Sequence, residues 1–238
     1  MDNVMRRTFA RSLITVAFAS SFCFSPVLSQ QQVKWMSVGS LHTWYSSMGS
    51  EREVGRRGLV ADQQDGLQWP AIYRYQDSQA AKALWIAVNP WTYGDGTVGP
   101  YVVHVGPRVS GVGEFFPVLF EMVSKFRPPE VLVDGNVSEG KPVDNDRVDP
   151  SIRPDRMIVN VVNTAAGITM TRKIMQFSQQ YHDNYFIYEY VFKNTGNINA
   201  DPVIEKPNQT LQGVYFYFHY RYAVNADVRF VIGQNPVG

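Results

Sequence analysis

Hydrophobic and polar positions alternate most regularly in two late stretches, Tyr185–Lys193 (YFIYEYVFK) and Val214–Val224 (VYFYFHYRYAV). Read at period two, Phe186, Tyr188, Tyr190 and Phe192 share one face of the first. Phe216, Phe218, Tyr220 and Tyr222 share one face of the second. Neither stretch contains Gly or Pro. Aromatic and β-branched residues suit a pleated, half-buried surface, and the runs are too short and too alternating to favour a helix. The pattern predicts the two central antiparallel strands of a sheet whose aromatic face is the core.

Shorter signals precede them. Leu84–Val88 (LWIAV) and Tyr101–Val105 (YVVHV) flank the Gly-, Pro- and Asp-rich stretch Asn89–Pro100, which predicts a hairpin with a long loop. Trp91 and Tyr93 lie in that loop and are expected to pack onto the core rather than stand out as sugar-stacking rings. Glu114–Phe126 reads as a strand with Pro117 at an edge or bulge, a short helix after Pro117 being the alternative. Val131–Val133 closes on Asp134-Gly135, a turn signal, and Met157–Val162 is the next strand. Ile168–Ser178 alternates with a change of phase: Ile168 and Met170 have one parity, Met175 and Phe177 the other. A β-bulge near Arg172–Ile174 would restore one apolar face. Gly196, after Asn194-Thr195, falls where a positive φ is expected. The Asn194–Leu211 excursion is long enough to cross to a second sheet.

These elements predict an all-β chain, an antiparallel β-sandwich of Ig-like type over residues 129–238, preceded by a β-rich segment over 30–128. Pro128-Pro129 marks the boundary between them.

The start of the chain reads as an address. Arg6, Arg7 and Arg11 precede the apolar run Leu13–Phe24, Pro26 breaks it, and Val27 and Ser29 supply small residues ahead of a cleavage site. Residues 1–29 thus have the three zones of a secretory signal peptide, and the apolar run is too short to span a bilayer. Arg6-Arg7-Thr8-Phe9 also resembles a twin-arginine export signal, with Met5 where Ser or Thr is usual. A lipid anchor on Cys23 is disfavoured by Phe22 before it. Cys23 is the only cysteine, so the processed chain would rest on its core without disulfides. The expected location is secreted or cell-surface, with the periplasm as an alternative, and no transmembrane span in the processed chain.

Charge adds an exclusion. The net charge is +1, and loss of residues 1–29 moves it to the acidic side. No run of Lys or Arg forms a nucleic-acid footprint. Arg56-Arg57 sits in the charged, Gly-interrupted stretch Glu51–Val60, which reads as a solvated loop.

Leu67-Gln-Trp-Pro, Ala83-Leu-Trp-Ile-Ala and Glu114-Phe-Phe-Pro, in this order, resemble segments of large uncharacterised secreted bacterial proteins, many with a C-terminal secretion-sorting domain. Tyr185–Asn197, ending in Lys-Asn-Thr-Gly-Asn, followed by Leu211–Tyr220, resembles the Asn-Thr-Gly strand pair of Ig-like surface β-sandwiches. The resemblance implies export, a β-sandwich and a longer parent protein. It carries over no catalytic residue. No sorting domain precedes the final Gly238, so the expectation is either a shortened variant or a fragment, the fragment being favoured because the chain ends soon after its strongest strand.

Candidate chemistry is sparse. Gly106, Gly111 and Gly113 surround Ser110, but Arg108 and Val112 stand where a nucleophile elbow needs Gly. His42, His104, His182 and His219 show no metal-ligand spacing. Asp144, Asp146 and Asp149 are hard oxygen ligands on one loop and form a weak calcium candidate; no other cofactor is indicated. The outward parity of the second aromatic stretch carries Tyr215, Tyr217, His219 and Arg221, which suits a protein contact or a glycan platform. The expected function is an exported, non-enzymatic surface or extracellular module for adhesion or assembly, with an extracellular protein or glycan as partner. The alternative is a carbohydrate-binding module of a larger secreted protein.

Overall fold

The computed structural model describes residues 32–50, 67–73, 78–105, 113–127, 131–138 and 145–222. The expected export signal with Cys23, Arg56-Arg57, the glycine-rich turn around Ser110, Pro128-Pro129, Asp144 and residues 223–238 lie outside them. The described chain is all-β, with no helix, and its antiparallel sheets form a sandwich-like arrangement. No helix among the described residues is long and apolar enough to cross a membrane.

The larger layer has five strands in the order β11-β10-β9-β5-β8. These are β5 (Phe115–Ser124), β8 (Arg147–Val148), β9 (Arg156–Thr164), β10 (Ile168–Gln176) and β11 (Ile187–Asn194). All neighbours are antiparallel except β5 and β8. The opposing layer is β12-β3-β4, made of β3 (Gln79–Thr92), β4 (Val98–Val105) and β12 (Val214–Tyr222). Two hairpins complete it: β1 (Val33–Val38) with β2 (Leu41–Ser46), and β6 (Val131–Val133) with β7 (Asn136–Ser138).

Several sequence expectations hold. Leu84–Val88 pairs with Tyr101–Val105, but both strands run on past a bulge to Thr92 and Val98, so the loop is shorter than predicted. Trp91 packs onto the core and stacks on Tyr101 at 4.6 Å. The β5 register slips between Pro117 and Leu119, as expected for a proline that cannot donate to the ladder. Asp134 and Gly135 both have positive φ in the β6–β7 turn.

Three expectations are corrected. The two aromatic strands are not a central pair. Among the described residues β11 and β12 belong to different sheets and meet across the sandwich, with Phe192 stacked on Phe216 at 4.0 Å and Tyr190 edge-on to Phe218 at 4.9 Å. Inward rings satisfy packing between layers as well as within one, so ring periodicity does not specify a hydrogen-bonded neighbour. Second, strand pairing crosses the 128/129 boundary: β5 pairs with β9 and β3 with β12. The predicted segments 30–128 and 129–238 therefore share both layers. Third, β10 has no bulge; it pairs without a slip on both sides. Its buried face continues on one parity as Ile168, Met170, Arg172, Ile174 and Gln176, so the change of phase marks buried polar residues.

The reason lies in what covers that face. One end of the large sheet, with Phe115, Val162, Ile168 and Met170, packs against Leu84, Ile86, Val88, Val103 and Val105 of the small sheet. The other end, with Met122, Ile158 and Ile174, packs against Met36 and Tyr45 of the β1–β2 hairpin. Arg172 and its cross-strand neighbour Asn160 stand between the two clusters, where the hairpin end brings backbone carbonyls into the interior. Arg172 Nη2 donates to Ser46 O at 2.9 Å and to Asn160 Oδ1 at 3.0 Å. Asn160 Nδ2 donates to Ser47 O at 2.9 Å and Leu119 O at 3.0 Å. Gln176 closes the other end of the hairpin, accepting from Val38 N and donating to Leu41 O. Buried carbonyls need such partners, and these side chains supply them.

Candidate functional site

Period-two geometry on β12 turns Phe216 and Phe218 towards β11, with Phe216 still 40% exposed, and Tyr215, Tyr217, His219 and Arg221 to the other side. Tyr215 and Tyr217 are exposed at 65% and 55%; His219 and Arg221 are half-buried. Register on the neighbouring strands extends this row. Tyr217 lies opposite Trp85, and Trp85 lies opposite His104. One line of rings therefore crosses the outer face of all three strands.

The rings lean on one another. Trp85 meets Tyr217 at 5.9 Å and 62°, and meets His104 at 5.6 Å and 63°. Tyr217 and His219 stack at 6.2 Å. Edge-to-face contacts of this kind hold rings in fixed orientations. His104 is held further by Glu114, whose Oε2 lies 3.0 Å from the ring Nδ1 and accepts from the His104 backbone N–H at 2.8 Å. The outcome is a rigid, exposed surface of indole, phenol, imidazole and guanidinium on a sheet, with Val102 exposed beside it.

The outward β12 residues were legible in the sequence; Trp85 and His104 were not singled out. LWIAV reads as one continuous apolar run, but with Leu84, Ile86 and Val88 buried, Trp85 and Ala87 must face out. The lone polar residue in YVVHV carried the same information.

Of the three aspartates, Asp144 lies outside the described residues, and Asp146 and Asp149 each have partners of their own. Asp146 pairs with Lys34 Nζ at 2.8 Å and accepts from Met122 N at 2.6 Å. Asp149 accepts from Ser151 Oγ at 2.6 Å and Ser151 N at 3.0 Å, and binds Arg147 at 2.9 Å. Among the described residues no group of three or more His, Cys, Asp or Glu side chains is placed to hold a metal. Asp146 ties the start of β8 to β5 and to Lys34 of the β1–β2 hairpin, and Asp149 braces the turn after β8 through Ser151 and Arg147.

The Asp149 contacts have a titration consequence. Its hydrogen bonds from the Ser151 side chain and backbone, and then from Arg147, hold its pKa below the ordinary carboxylate value. A depressed folded-state pKa contributes stability that is present above the unfolded value and lost as pH falls through the folded one. Carboxyl chemical shifts in an NMR titration are expected to show Asp149 titrating below a typical Asp. Ser151→Ala should move it back up; an unchanged titration would remove the hydroxyl as the leading cause.

No family model, curated protein or solved structure matches the chain.

Proposed function

We propose that this chain is an exported, non-enzymatic surface or extracellular module of Ig-like type that acts in adhesion or assembly. It docks an extracellular protein on the outer face of the β12-β3-β4 sheet. The export part rests on the three-zone leader over residues 1–29. The docking part rests on one observation: Trp85, Tyr217 and His104 form a continuous, preoriented row on an exposed sheet face. Trp, Tyr and Arg are the side chains that most often dominate protein interfaces, and the two aromatic ones bring large area at little conformational cost.

Ring tilt favours this over the carbohydrate reading. A sugar stacks best on an open ring face, and here Trp85 meets Tyr217 and His104 edge against face, at 62° and 63°, while Tyr217 and His219 lie near parallel at 20°. A protein partner, whose side chains insert between tilted rings, fits that relief better.

Binding of the labelled, processed protein to intact cells, treated with protease or with glycosidases, tests this. Binding is expected to disappear after protease treatment. Tyr217→Ala should weaken it about tenfold or more, as loss of an interface anchor does, while leaving the thermal midpoint close to the parent's because the ring is exposed. Binding that survives protease, is lost to glycosidase and is reproduced on a glycan array would select the carbohydrate-binding alternative. Binding indifferent to Tyr217→Ala and Trp85→Ala would dismiss this face altogether.

A further inference from the structure

We propose that Asp134 is a modification site: it isomerises spontaneously to isoaspartate, through a succinimide closed by the Gly135 amide nitrogen. The only co-reactant is water. The site is separate from the docking face described above, and neither proposal depends on the other.

The chemistry is a ring closure followed by hydrolysis. The Gly135 nitrogen attacks Cγ of Asp134. The N–Cγ bond forms, the Cγ–OH bond breaks, and the amide proton leaves with the hydroxyl as water. Water then reopens the ring. Attack at Cγ returns aspartate. Attack at the α-carbonyl breaks its bond to nitrogen, so the chain runs on through Cγ and the α-carboxylate is left free. No electron is gained or lost. Glycine favours the closure, because it has no Cβ to obstruct the nitrogen and its backbone rotates freely.

The sequence holds Asp65-Gly66, Asp95-Gly96 and Asp134-Gly135. The first lies outside the described residues. The other two sit at exposed hairpin turns, but the fold treats their reacting atoms differently. At the β3–β4 turn both reactants are engaged. The Gly96 nitrogen donates to Tyr93 O at 2.9 Å. The Asp95 carboxylate accepts from Thr97 Oγ1 at 2.7 Å and from Thr97 N at 2.9 Å. Those bonds from Thr97, the side chain first, also hold the Asp95 pKa below the ordinary carboxylate value. An ionised carboxylate is the poorer electrophile, because it has no hydroxyl to leave as water.

At the β6–β7 turn neither reactant is held. Among the described residues no hydrogen bond or ion pair engages the Asp134 carboxylate or the Gly135 N–H. Both residues are exposed, and nothing lies within 4 Å of a Cβ position on Gly135. Asp134 and Gly135 have φ of 52° and 79°, the left-handed pair of a two-residue turn that sets Val133 opposite Asn136. β6 and β7 are three residues each and pair with no other strand among the described residues. So short a two-stranded ribbon opens readily, and opening lets the backbone rotate until the nitrogen reaches Cγ. Isoaspartate then adds one carbon to the backbone of a two-residue turn, which no longer closes Val133 on Asn136.

Incubation of the purified protein at neutral pH, in water enriched in heavy oxygen, tests this. Each ring opening leaves one heavy oxygen on the residue, and peptide mass spectrometry with electron-transfer fragmentation locates both the label and isoaspartate. Both are expected at residue 134 several-fold ahead of residue 95. In denaturant the two sites should react at similar rates, because the fold is what separates them. Thr97→Val should raise the rate at residue 95 towards that at residue 134 and leave residue 134 unchanged. An Asp134 that stays unmodified in the folded protein, over the time in which the denatured chain converts, overturns the proposal. Equal rates at the two sites in the folded protein overturn it as well, and so does a difference that persists in denaturant.

Discussion

Arg172→Ala is expected to cost about 3–5 kcal/mol of folding stability, from the cavity left by a large buried side chain together with two orphaned buried acceptors. Arg172 is fully buried. Its removal leaves Ser46 O and Asn160 Oδ1 without their donor and opens a void beside Tyr45, whose ring centre lies 5.7 Å from the guanidinium carbon. Orphaned buried acceptors and an uncollapsed cavity act in the same direction.

Arg172→Met separates the two contributions. Nε and Nη1 of Arg172 are buried with no hydrogen-bond partner, so the native arginine already carries an unmet desolvation cost. Methionine keeps most of the stem volume and removes that cost. It should lose less than half of what alanine loses, because only the Nη2 bonds are given up. Urea unfolding of both variants is the measurement. Equal losses would show that the hydrogen bonds alone matter; an alanine variant as stable as the parent would remove Arg172 from the junction's energetics. Lys82 and Tyr188 join the same region: Lys82 Nζ sits 3.7 Å above the Tyr188 ring, and Tyr188 and Tyr45 share a hydroxyl contact at 2.8 Å. The junction thus links three separate sheets through polar and cation–π contacts.

Gly196→Ala is the second large effect, expected to cost about 2–4 kcal/mol. Gly196 has φ of +72°, and a Cβ there would fall on the carbonyl oxygen of Lys206, far inside van der Waals contact. The left-handed backbone alone costs a non-glycine residue about 1–2 kcal/mol. Displacing Lys206 also breaks its N–H bond to Gly196 O at 2.9 Å, worth about 1 kcal/mol. The connection from β11 to β12 is anchored here, since Thr195 N and Gly196 N both donate to Gly167 O at 3.0 and 2.9 Å. Gly96 is the control, with φ of +83° and open space around it. Gly96→Ala should show only the backbone cost. Comparable losses at the two sites would mean that Lys206 moves aside freely. Faster proteolysis within residues 197–211 of the Gly196 variant would locate the damage.

The two sites differ in how far they could be read beforehand. Gly196 was legible, because Asn-Thr-Gly after an alternating strand marks a reversal that only a permissive backbone makes. Arg172 was not. Its environment comes from Ser46 and Asn160, which are 126 and 12 residues away, and no local window holds that information. The phase change around Arg172 was visible, but a bulge and a buried arginine produce the same string of letters. The outward rings Tyr215, Tyr217 and His219 followed from parity alone, whereas the row reaching Trp85 and His104 required the cross-strand register.

What the sequence determined by itself was local: strand period, the Asp134-Gly135 and Gly196 turns, the slip at Pro117, and hence the all-β class. These depend on backbone sterics and on alternation within a few residues. Tertiary structure alone decided which strands became neighbours, that the two aromatic strands would belong to separate sheets, and that a guanidinium would fill the gap between two covering layers. Alternation specifies which side of a strand is buried, but many partners can bury it equally well. The choice among them rests on contacts between residues far apart in the chain.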